Sequence, residues 1–222
     1  PFILVMGVVC GLILIEPHLS AAALIGMSTI IILFVAGAKM SHIFSLASLG
    51  IVAVAVLTFT KGYRMRRYLS FLDPWSDIKE SGYHIVQSLY ALGSGGLIGV
   101  GLGHSRQKFF YLPEPQTDFI FAIIGEELGF LGAVFVIIMF VFLIWRGYRT
   151  AITAPDLFGK LLAAGITTFI ALQFIINIAV VTASMPVTGM PLPFISYGGS
   201  SLIITMTQVG ILLNISKYTE AK

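Results

Sequence analysis

Six long apolar runs separated by polar segments limit how this chain of 222 residues can fold. A helix that crosses a bilayer needs about 20 mostly apolar residues. Hydrophobic residues make up 57% of the chain and charged residues only 10%, whereas a soluble domain carries about 25% charged residues. The composition therefore predicts an all-α integral membrane protein, a polytopic helix bundle, and the absence of a period of two excludes barrel strands. The six predicted spans are residues 2–15, 19–38, 43–60, 119–145, 161–185 and 200–215.

The net charge, the cysteine content and the first residues give further information on the class of protein. The net charge of +3 is too small to indicate a nucleic-acid partner. The single cysteine, Cys10, lies in an apolar run, cannot form a disulfide within the chain and is interpreted as a small hydrophobic residue. The sequence begins at Pro1 without a basic segment, so we interpret this end as the start of a fragment and not as a signal peptide. We expect one membrane domain over residues 1–222.

The stretch 61–117, between the third and fourth spans, is long for a loop and should carry structure or function. A basic segment flanked by Tyr63 and Tyr68 is typical of an anchor at the level of lipid headgroups. Residues 71–75 are predicted to form a turn, and residues 82–92 a helix on or in the membrane surface that contains an interfacial His84. A tight turn of glycines follows, and no Gly-Lys-Ser/Thr sequence accompanies it, so a phosphate loop is not expected.

The distribution of basic residues predicts the orientation in the membrane. The short segments 16–20 and 185–199 contain no lysine or arginine, and the basic residues of the other set are Lys39, Arg146, Arg149, Lys160, Lys217 and Lys222. The positive-inside rule therefore places the C-terminus in the cytoplasm and the long loop 61–117 outside the cell. This loop carries seven basic and four acidic residues. The excess indicates an anionic partner such as a phosphate-bearing lipid, and ordinary headgroup anchoring explains its arginines equally well.

Asp118 is the strongest candidate functional residue, because it lies where the polar loop enters the fourth apolar run. A charge at the edge of hydrocarbon usually faces a cavity, a partner or a headgroup. Thr117 or Asp118 could instead cap the helix that follows, and one residue can do both. On a helical wheel, Glu126 lies about 80° and Glu127 about 180° from Asp118. Only Glu126 could approach the same cavity, and for both acids we favour an ion-pair or helix-packing role between halves of the protein.

Several sequence blocks together resemble one family. They are FLDPW at 71–75, GYHIVQS at 82–88, the glycine block at 96–103, YLPE at 111–114, TDFIFA at 117–122 with GEELG at 125–129, PVTG at 186–189 and LPFISYGGSS at 192–201. Over essentially the whole chain, this combination resembles the shape, elongation, division and sporulation (SEDS) family, which includes FtsW, RodA and the stage V sporulation protein E. The segment 106–116 is most similar to the FtsW and sporulation branch.

The resemblance implies a fold of ten transmembrane helices, of which this chain is the part from helix five to helix ten, with a large extracytoplasmic loop. It implies a peptidoglycan glycosyltransferase of the bacterial plasma membrane that polymerises lipid II during cell division or sporulation. The implied partners are a class B penicillin-binding protein, which cross-links the strands, and other divisome or sporulation cell-wall proteins. The alternatives are a lipid II flippase and a non-catalytic scaffold for the penicillin-binding protein.

The resemblance carries Asp118 over as the catalytic residue. The leaving group, undecaprenyl pyrophosphate, is a weak base, so one general base suffices where glycosidases need two carboxylates. The start of the following helix would favour the ionised form of Asp118. Lys108 and Arg106, or a divalent cation such as Mg²⁺ or Mn²⁺, would stabilise the departing phosphates, and the metal ligands stay unknown. The remaining predicted substrate-binding residues are Glu114, Gln87, Ser196, Tyr197 and Ser200.

Some of these residues have alternative interpretations. Glu114 binds substrate or metal, or forms an ion pair with an arginine of the loop. Residues 196–201 form a re-entrant loop that lines a lipid channel, or they pack helices closely through small side chains. Asn177 is interpreted as a hydrogen-bonding residue between helices.

Two positions depart from the family pattern. His18 replaces the usual acid of a Pro-Asp-Leu-Gly sequence, which places any role of that acid in question. Pro115-Gln116 replaces the commoner Ala-His, so a histidine base is not expected there.

Overall fold

The computed structural model describes residues 2–16, 18–60, 62–78, 82–109 and 112–219, and within these ranges the chain contains helices, turns and loops but no strand. The prediction of an all-α protein is confirmed. Lys61, Tyr111 and Lys222, which entered the sequence-based interpretation, lie outside the described residues. The helices are α1 (Phe2–Ile15), α2 (Leu19–Val35), α3 (Met40–Phe59), α4 (Gly62–Leu72), α5 (Tyr83–Gly95), α6 (Ile120–Thr153), α7 (Leu157–Val181) and α8 (Gly199–Thr219).

Each of the six predicted spans coincides with one of these helices, namely α1 to α3 and α6 to α8. Four of them, α3, α6, α7 and α8, are long and apolar enough to cross a membrane. Helices α1 and α2 contain 14 and 17 residues, which correspond to about 21 and 26 Å at 1.5 Å per residue. Both lengths fall below the ~30 Å of a hydrocarbon core, so a count of six transmembrane helices stays a prediction.

The ends of α6 and α7 differ from the predicted ones. Helix α6 continues past Arg146 to Thr153 and ends two residues before Pro155. It ends there because the residue before a proline is disfavoured in the helical conformation. Helix α7 begins at Leu157, earlier than the predicted residue 161, since Asp156 caps it: the Gly159 N–H donates to Asp156 Oδ2 at 2.8 Å. Basic residues near a span end therefore marked the boundaries less well than the proline and its neighbouring cap.

Helix α4 was not predicted as a helix. The basic segment of the long loop forms 11 helical residues, and the turn expected at 71–75 begins only at Asp73. Arg64 on this helix is 9% exposed, and its Nε donates to the Tyr63 hydroxyl at 2.9 Å. Arg66 and Arg67 are exposed. Helix α5 was predicted as residues 82–92, and the structure extends it to Gly95.

Helix α6 is broken at Gly129, which has φ 67° and ψ −168°. Positive φ is costly for other residues, so glycine suits this position. In a continuous helix, the N–H groups of Phe130 and Leu131 would donate to carbonyls four residues earlier. Instead Phe130 N donates to Gly96 O at 2.8 Å and Leu131 N to Leu97 O at 3.2 Å.

The carbonyls left open by this break are satisfied by the same glycine-rich segment. Glu126 O accepts from Val100 N, and Glu127 O accepts from Gly101 N, both at 3.0 Å. A Cβ atom on Gly99 would lie 2.1 Å from Glu127 O, so the two backbones meet at a distance that only glycine permits. The predicted glycine turn therefore completes the hydrogen bonds of a broken helix, as non-helical backbone inside a membrane protein requires.

The chain forms two compact units, and the prediction of one membrane domain stays a prediction. The first unit comprises Pro1–Thr60, Leu143–Leu172 and Ile203–Lys222. Within it the second half of α6 approaches the first half of α7 closely. A Cβ atom on Gly147 would lie 2.3 Å from Thr167 Oγ1, and the Tyr148 hydroxyl lies 2.9 Å from Thr168 Oγ1.

The second unit comprises Lys61–Phe142 and Gln173–Leu202, and it contains Asp118. Helix α5 is fixed to the end of α7 because the buried Ser88 Oγ donates to Val181 O at 2.8 Å. Val181 is the last residue of α7, so its carbonyl has no acceptor role within the helix. The rings of Phe140 and Phe174 stack with centroids 4.3 Å apart. This unit therefore places α4, α5 and the segment after α7 around the start of α6.

Candidate functional site

Asp118 lies half-buried in a turn directly before α6. Glu114 begins this turn with φ 50°, and its carbonyl accepts from Thr117 N at 3.3 Å and Phe119 N at 3.4 Å. The hydrogen bonds of the helix start one residue after Asp118, where Ala122 N donates to Phe119 O at 2.9 Å. As the prolines around Glu114 indicated, Glu114 and Asp118 share a turn and not one helical face.

The side chain of Asp118 does not act as a cap. Within the described part of the chain, no N–H group donates to its carboxylate, and Thr117 Oγ1 donates to Glu114 Oε2 at 3.0 Å instead of capping α6. The capping interpretation is therefore not supported. A carboxylate to which none of the described residues donates is available to a ligand.

Burial raises the pKa of Asp118 above its ordinary value, the charge of Glu114 raises the pKa further, and the charge of Arg67 lowers it. Loss of solvation is the largest of these effects, and the expectation that the helix start favours the ionised form stays a prediction. Two carboxylates and one guanidinium thus act on one another in the site, although Arg67 comes from α4. A raised pKa makes Asp118 a stronger base than a solvated aspartate.

His84 joins this site from α5, which sequence reasoning missed. Its ring stacks on that of Phe119, with centroids 5.9 Å apart and planes inclined by 21°. Its Nδ1 is buried, and none of the described residues hydrogen-bonds to it. Burial lowers the pKa of His84, as does the charge of Arg67, while Glu114 raises it. No local pattern links residue 84 to residue 118, so only the fold could reveal this neighbour.

The two predicted cations for the leaving group differ in their surroundings. Lys108 Nζ pairs with Glu127 Oε1 at 2.7 Å, so its charge is largely balanced within the protein. Arg106 has an exposed side chain, and its backbone N–H donates to Glu126 Oε1 at 2.9 Å. Ser105 Oγ also donates to Glu126, which is only 2% exposed. Glu127 thus forms an ion pair and Glu126 anchors the loop through hydrogen bonds, both within the second unit. A role of these acids between halves of the protein stays a prediction.

Ser196 and Tyr197 lie against the turn that carries Asp118. Ser196 Oγ donates to Thr117 O at 2.5 Å and accepts from Leu192 N at 2.7 Å. Tyr197 N donates to Gln116 O at 2.8 Å, and its side chain is 78% exposed. Substrate binding by these residues stays a prediction, and the contacts assign the Ser196 hydroxyl two partners within the protein.

Ser200 and Gln87 are not brought into described contact with Asp118. Ser200 is exposed in the first turn of α8, and Gln87 is half-buried on α5. A different residue, Gly189, lies beside the acid, since a Cβ atom there would be 3.4 Å from Asp118 Oδ2. The roles predicted for Ser200 and Gln87 therefore stay predictions.

The described residues contain no group of three His, Cys, Asp or Glu side chains that could hold a metal ion. Asp118 and Glu114 are the carboxylates that share this site. Their oxygen atoms are ligands that suit Mg²⁺ or Mn²⁺, and such ions commonly complete their shells with water and substrate phosphates. These two residues fit a substrate-bridging ion better than a site built by the protein alone.

The sequence is similar to proteins of bacterial cell-wall synthesis. A family model described as cell cycle protein, covering FtsW, RodA and SpoVE, matches residues 1–221. The chain is 50% identical to the stage V sporulation protein E of Bacillus subtilis strain 168, over 98% of this chain and 60% of that protein. It is 47% identical to a probable peptidoglycan glycosyltransferase FtsW of Geobacter sp. strain M18, over 97% of this chain and 59% of that protein.

The fold is similar to two solved structures. One is described as "Structural coordination of polymerization and crosslinking by a peptidoglycan synthase complex", with a TM-score of 0.78 and 30% identity over 97% of this chain and 60% of that chain. The other is the rod shape determining protein RodA of Thermus thermophilus, with a TM-score of 0.64 and 28% identity over 97% of this chain and 55% of that one. The chain thus spans about 60% of the length of the relatives that it matches.

Proposed function

We propose that the full-length protein is a peptidoglycan glycosyltransferase that polymerises lipid II, because this chain belongs to the family of FtsW, RodA and SpoVE cell cycle proteins. The observation that carries this proposal is the Asp118 carboxylate. It is half-buried, its pKa is raised, and none of the described residues donates a hydrogen bond to it. The names of the relatives support the reaction class, since several are probable peptidoglycan glycosyltransferases.

In the proposed reaction, Asp118 removes the proton from a sugar hydroxyl as the oxygen attacks the anomeric carbon of a second lipid II molecule. The new C–O bond forms while the bond from the anomeric carbon to the pyrophosphate oxygen breaks. The electron pair leaves with undecaprenyl pyrophosphate, and the proton remains on Asp118 until solvent accepts it. A single displacement inverts the anomeric centre, and the pyrophosphate needs no general acid because it is a weak base.

The leaving group requires positive charge near its phosphates. Arg106 and Arg67 have exposed side chains, whereas Lys108 is paired with Glu127. We infer that the two arginines are better placed for this role than Lys108. A divalent cation held by Asp118 and Glu114 would, when bound, supply further charge to the phosphate oxygens.

The orientation and the partners belong to the same proposal. The basic residues of the short loops support a cytoplasmic C-terminus and an extracytoplasmic loop 61–117. A polymerase on that side requires a transpeptidase to cross-link its product, and we propose a class B penicillin-binding protein. The similar solved chain that is described as part of a peptidoglycan synthase complex supports this partner.

The test uses the full-length protein with its transpeptidase-dead partner in vesicles, with labelled lipid II. We expect Asp118→Ala to abolish glycan synthesis, while Asp73→Ala, in the exposed turn after α4, remains active as the matched control. Glycan formation by Asp118→Ala at the wild-type rate would refute the catalytic assignment and favour a scaffold. Transfer of lipid II across the vesicle by wild-type protein that forms no polymer would instead establish a flippase.

A further inference from the structure

Hydrogen bonds from residues 177–197 of the second unit hold the turn that carries Asp118. Three consecutive carbonyl oxygens before α6 each accept a hydrogen bond from a different group within residues 177–197. The pairs are Tyr197 N–H to Gln116 O at 2.8 Å, Ser196 Oγ–H to Thr117 O at 2.5 Å, and Asn177 Nδ2–H to Asp118 O at 2.8 Å.

Helix α6 does not supply these hydrogen bonds itself. The first carbonyl that accepts within the helix is that of Phe119, which receives Ala122 N at 2.9 Å. The position of Asp118 therefore depends on groups more than fifty residues later in the chain. Among them Asn177 is the one whose side chain bonds to Asp118 directly.

Asn177 is fixed in a single orientation. It is 1% exposed on α7, and its Nδ2 donates both to Asp118 O and to Met190 O, the second at 2.7 Å. Both partners are carbonyls, so only the amide nitrogen can face them. Its Oδ1 is buried, and none of the described residues donates to it. An unpaired buried acceptor costs free energy, so what asparagine supplies at this position is the pair of hydrogen bonds to Asp118 O and Met190 O.

We propose that Asn177 is a positioning residue for catalysis: by joining Asp118 O to Met190 O, it sets the direction in which the Asp118 carboxylate faces the substrate hydroxyl. This inference rests on the proposed function of Asp118. The segment around Met190 includes Gly189, which lies beside the carboxylate itself. One amide group thus fixes the acid and the backbone that borders it.

The geometry predicts which substitutions disturb this arrangement. Asn177→Leu keeps a similar volume and removes both donors. Asn177→Asp keeps the shape but places an oxygen against two carbonyl oxygens. A displacement of about 1 Å in a catalytic group can cost on the order of 100-fold in rate. The matched control is Gln173→Leu, which lies one turn earlier on α7 and is 8% exposed.

The experiment measures lipid II polymerisation by the full-length protein with its partner, as a function of substrate concentration. We expect Asn177→Leu and Asn177→Asp to lower kcat by about 10- to 100-fold, with KM within about twofold of wild type. Gln173→Leu should leave kcat unchanged. We also expect Ser196→Ala, which frees the neighbouring carbonyl, to lower kcat in the same direction.

The kcat of correctly folded protein separates positioning from a general loss of structure. We therefore refer kcat to the fraction of each variant that is folded, measured from its thermal unfolding curve. A misdirected carboxylate lowers kcat per folded molecule while KM stays near the wild-type value. A destabilised but correctly arranged site would lower the folded fraction and leave kcat per folded molecule unchanged.

Wild-type kcat in either Asn177 variant would overturn the inference, as would a kcat per folded molecule that equals that of the Gln173→Leu control. If Asn177→Leu does not accumulate in membranes, the isosteric Asn177→Asp decides alone. A different result refutes the proposed function, namely an active Asp118→Ala variant. An inactive Asp118→Ala with fully active Asn177 variants refutes only the positioning role.

Discussion

Replacement of Gly95 by alanine tests the close approach between the end of α5 and the first part of α6. A Cβ atom on Gly95 would lie 1.9 Å from Gly125 O and 2.9 Å from the Cα atom of Glu126. Both neighbours are backbone atoms, so no side chain can rotate away. Gly93 lies on the same helix, and a Cβ atom there would meet nothing within 4 Å.

The two substitutions should change the free energy of unfolding in opposite directions. Gly93→Ala changes only helix propensity and should stabilise the protein by up to about 1 kcal/mol. Gly95→Ala forces α5 away from α6, and overpacking of this kind costs about 1–3 kcal/mol. The shift also strains the backbone hydrogen bonds between residues 96–101 and 126–131, and the loss of one adds about 1 kcal/mol. We therefore expect Gly95→Ala to destabilise the fold by about 2–4 kcal/mol.

Thermal unfolding of the full-length protein in detergent measures this difference. The 222 residues correspond to 60% of the length of a relative, so the full-length chain is larger, and a loss of about 2 kcal/mol lowers its Tm by about 2–4 °C. Gly93→Ala should equal or exceed the wild-type Tm. Hydrogen exchange provides an independent measurement, since the amides of Val100 and Phe130 should lose protection only in Gly95→Ala. Equal Tm values for both variants would refute the reasoning, because they would mean that α5 and α6 do not touch through Gly95.

Two further predictions concern the acids of the second unit. Glu114→Gln removes a charge that raises the pKa of Asp118, so the acidic limb of the pH profile of the polymerisation rate should move to lower pH. Arg67→Gln removes a charge that lowers this pKa and should move the same limb to higher pH. pH profiles that coincide with that of wild type would contradict both assignments. Glu126→Gln should lower the Tm clearly more than Glu127→Gln, because Glu126 is 2% exposed and binds three groups of the 105–107 loop. A greater loss in Glu127→Gln would show that the partly exposed ion pair matters more than the buried hydrogen bonds.

The sequence predicted the helices that consist of long apolar runs, because length and hydropathy are local properties. It did not predict α4, whose basic residues interrupt any apolar run, or the break at Gly129. The signal for the break was present as GEELG, in which two acids and two glycines interrupt an apolar span. A break could not be inferred from this signal alone, because it depends on the segment around Gly99, about thirty residues earlier in the chain.

The candidate site was predictable to a similar extent. Asp118 could be chosen from the sequence because a charge next to an apolar run is costly wherever the chain folds. Arg67, His84 and Asn177 could not be connected with it, since their effects depend on contacts between distant segments. Nearness in sequence favoured Lys108 as a substrate cation, and the fold pairs it with Glu127, so that role stays a prediction.

The distribution of unpaired polar atoms indicates where this fold departs from maximal stability. Four buried side-chain atoms have no hydrogen-bond partner among the described residues, namely His84 Nδ1, Asn177 Oδ1, Thr188 Oγ1 and Gln107 Oε1. His84 stacks on the residue after Asp118, Asn177 bonds to the Asp118 carbonyl, and Thr188 precedes the glycine beside its carboxylate. Each unpaired buried group costs about 1–3 kcal/mol. Gln107 belongs to the loop that Glu126 holds. Departures of this kind are expected at functional sites, so the position of the other three around one acid supports the site independently of the charge pattern that first identified it.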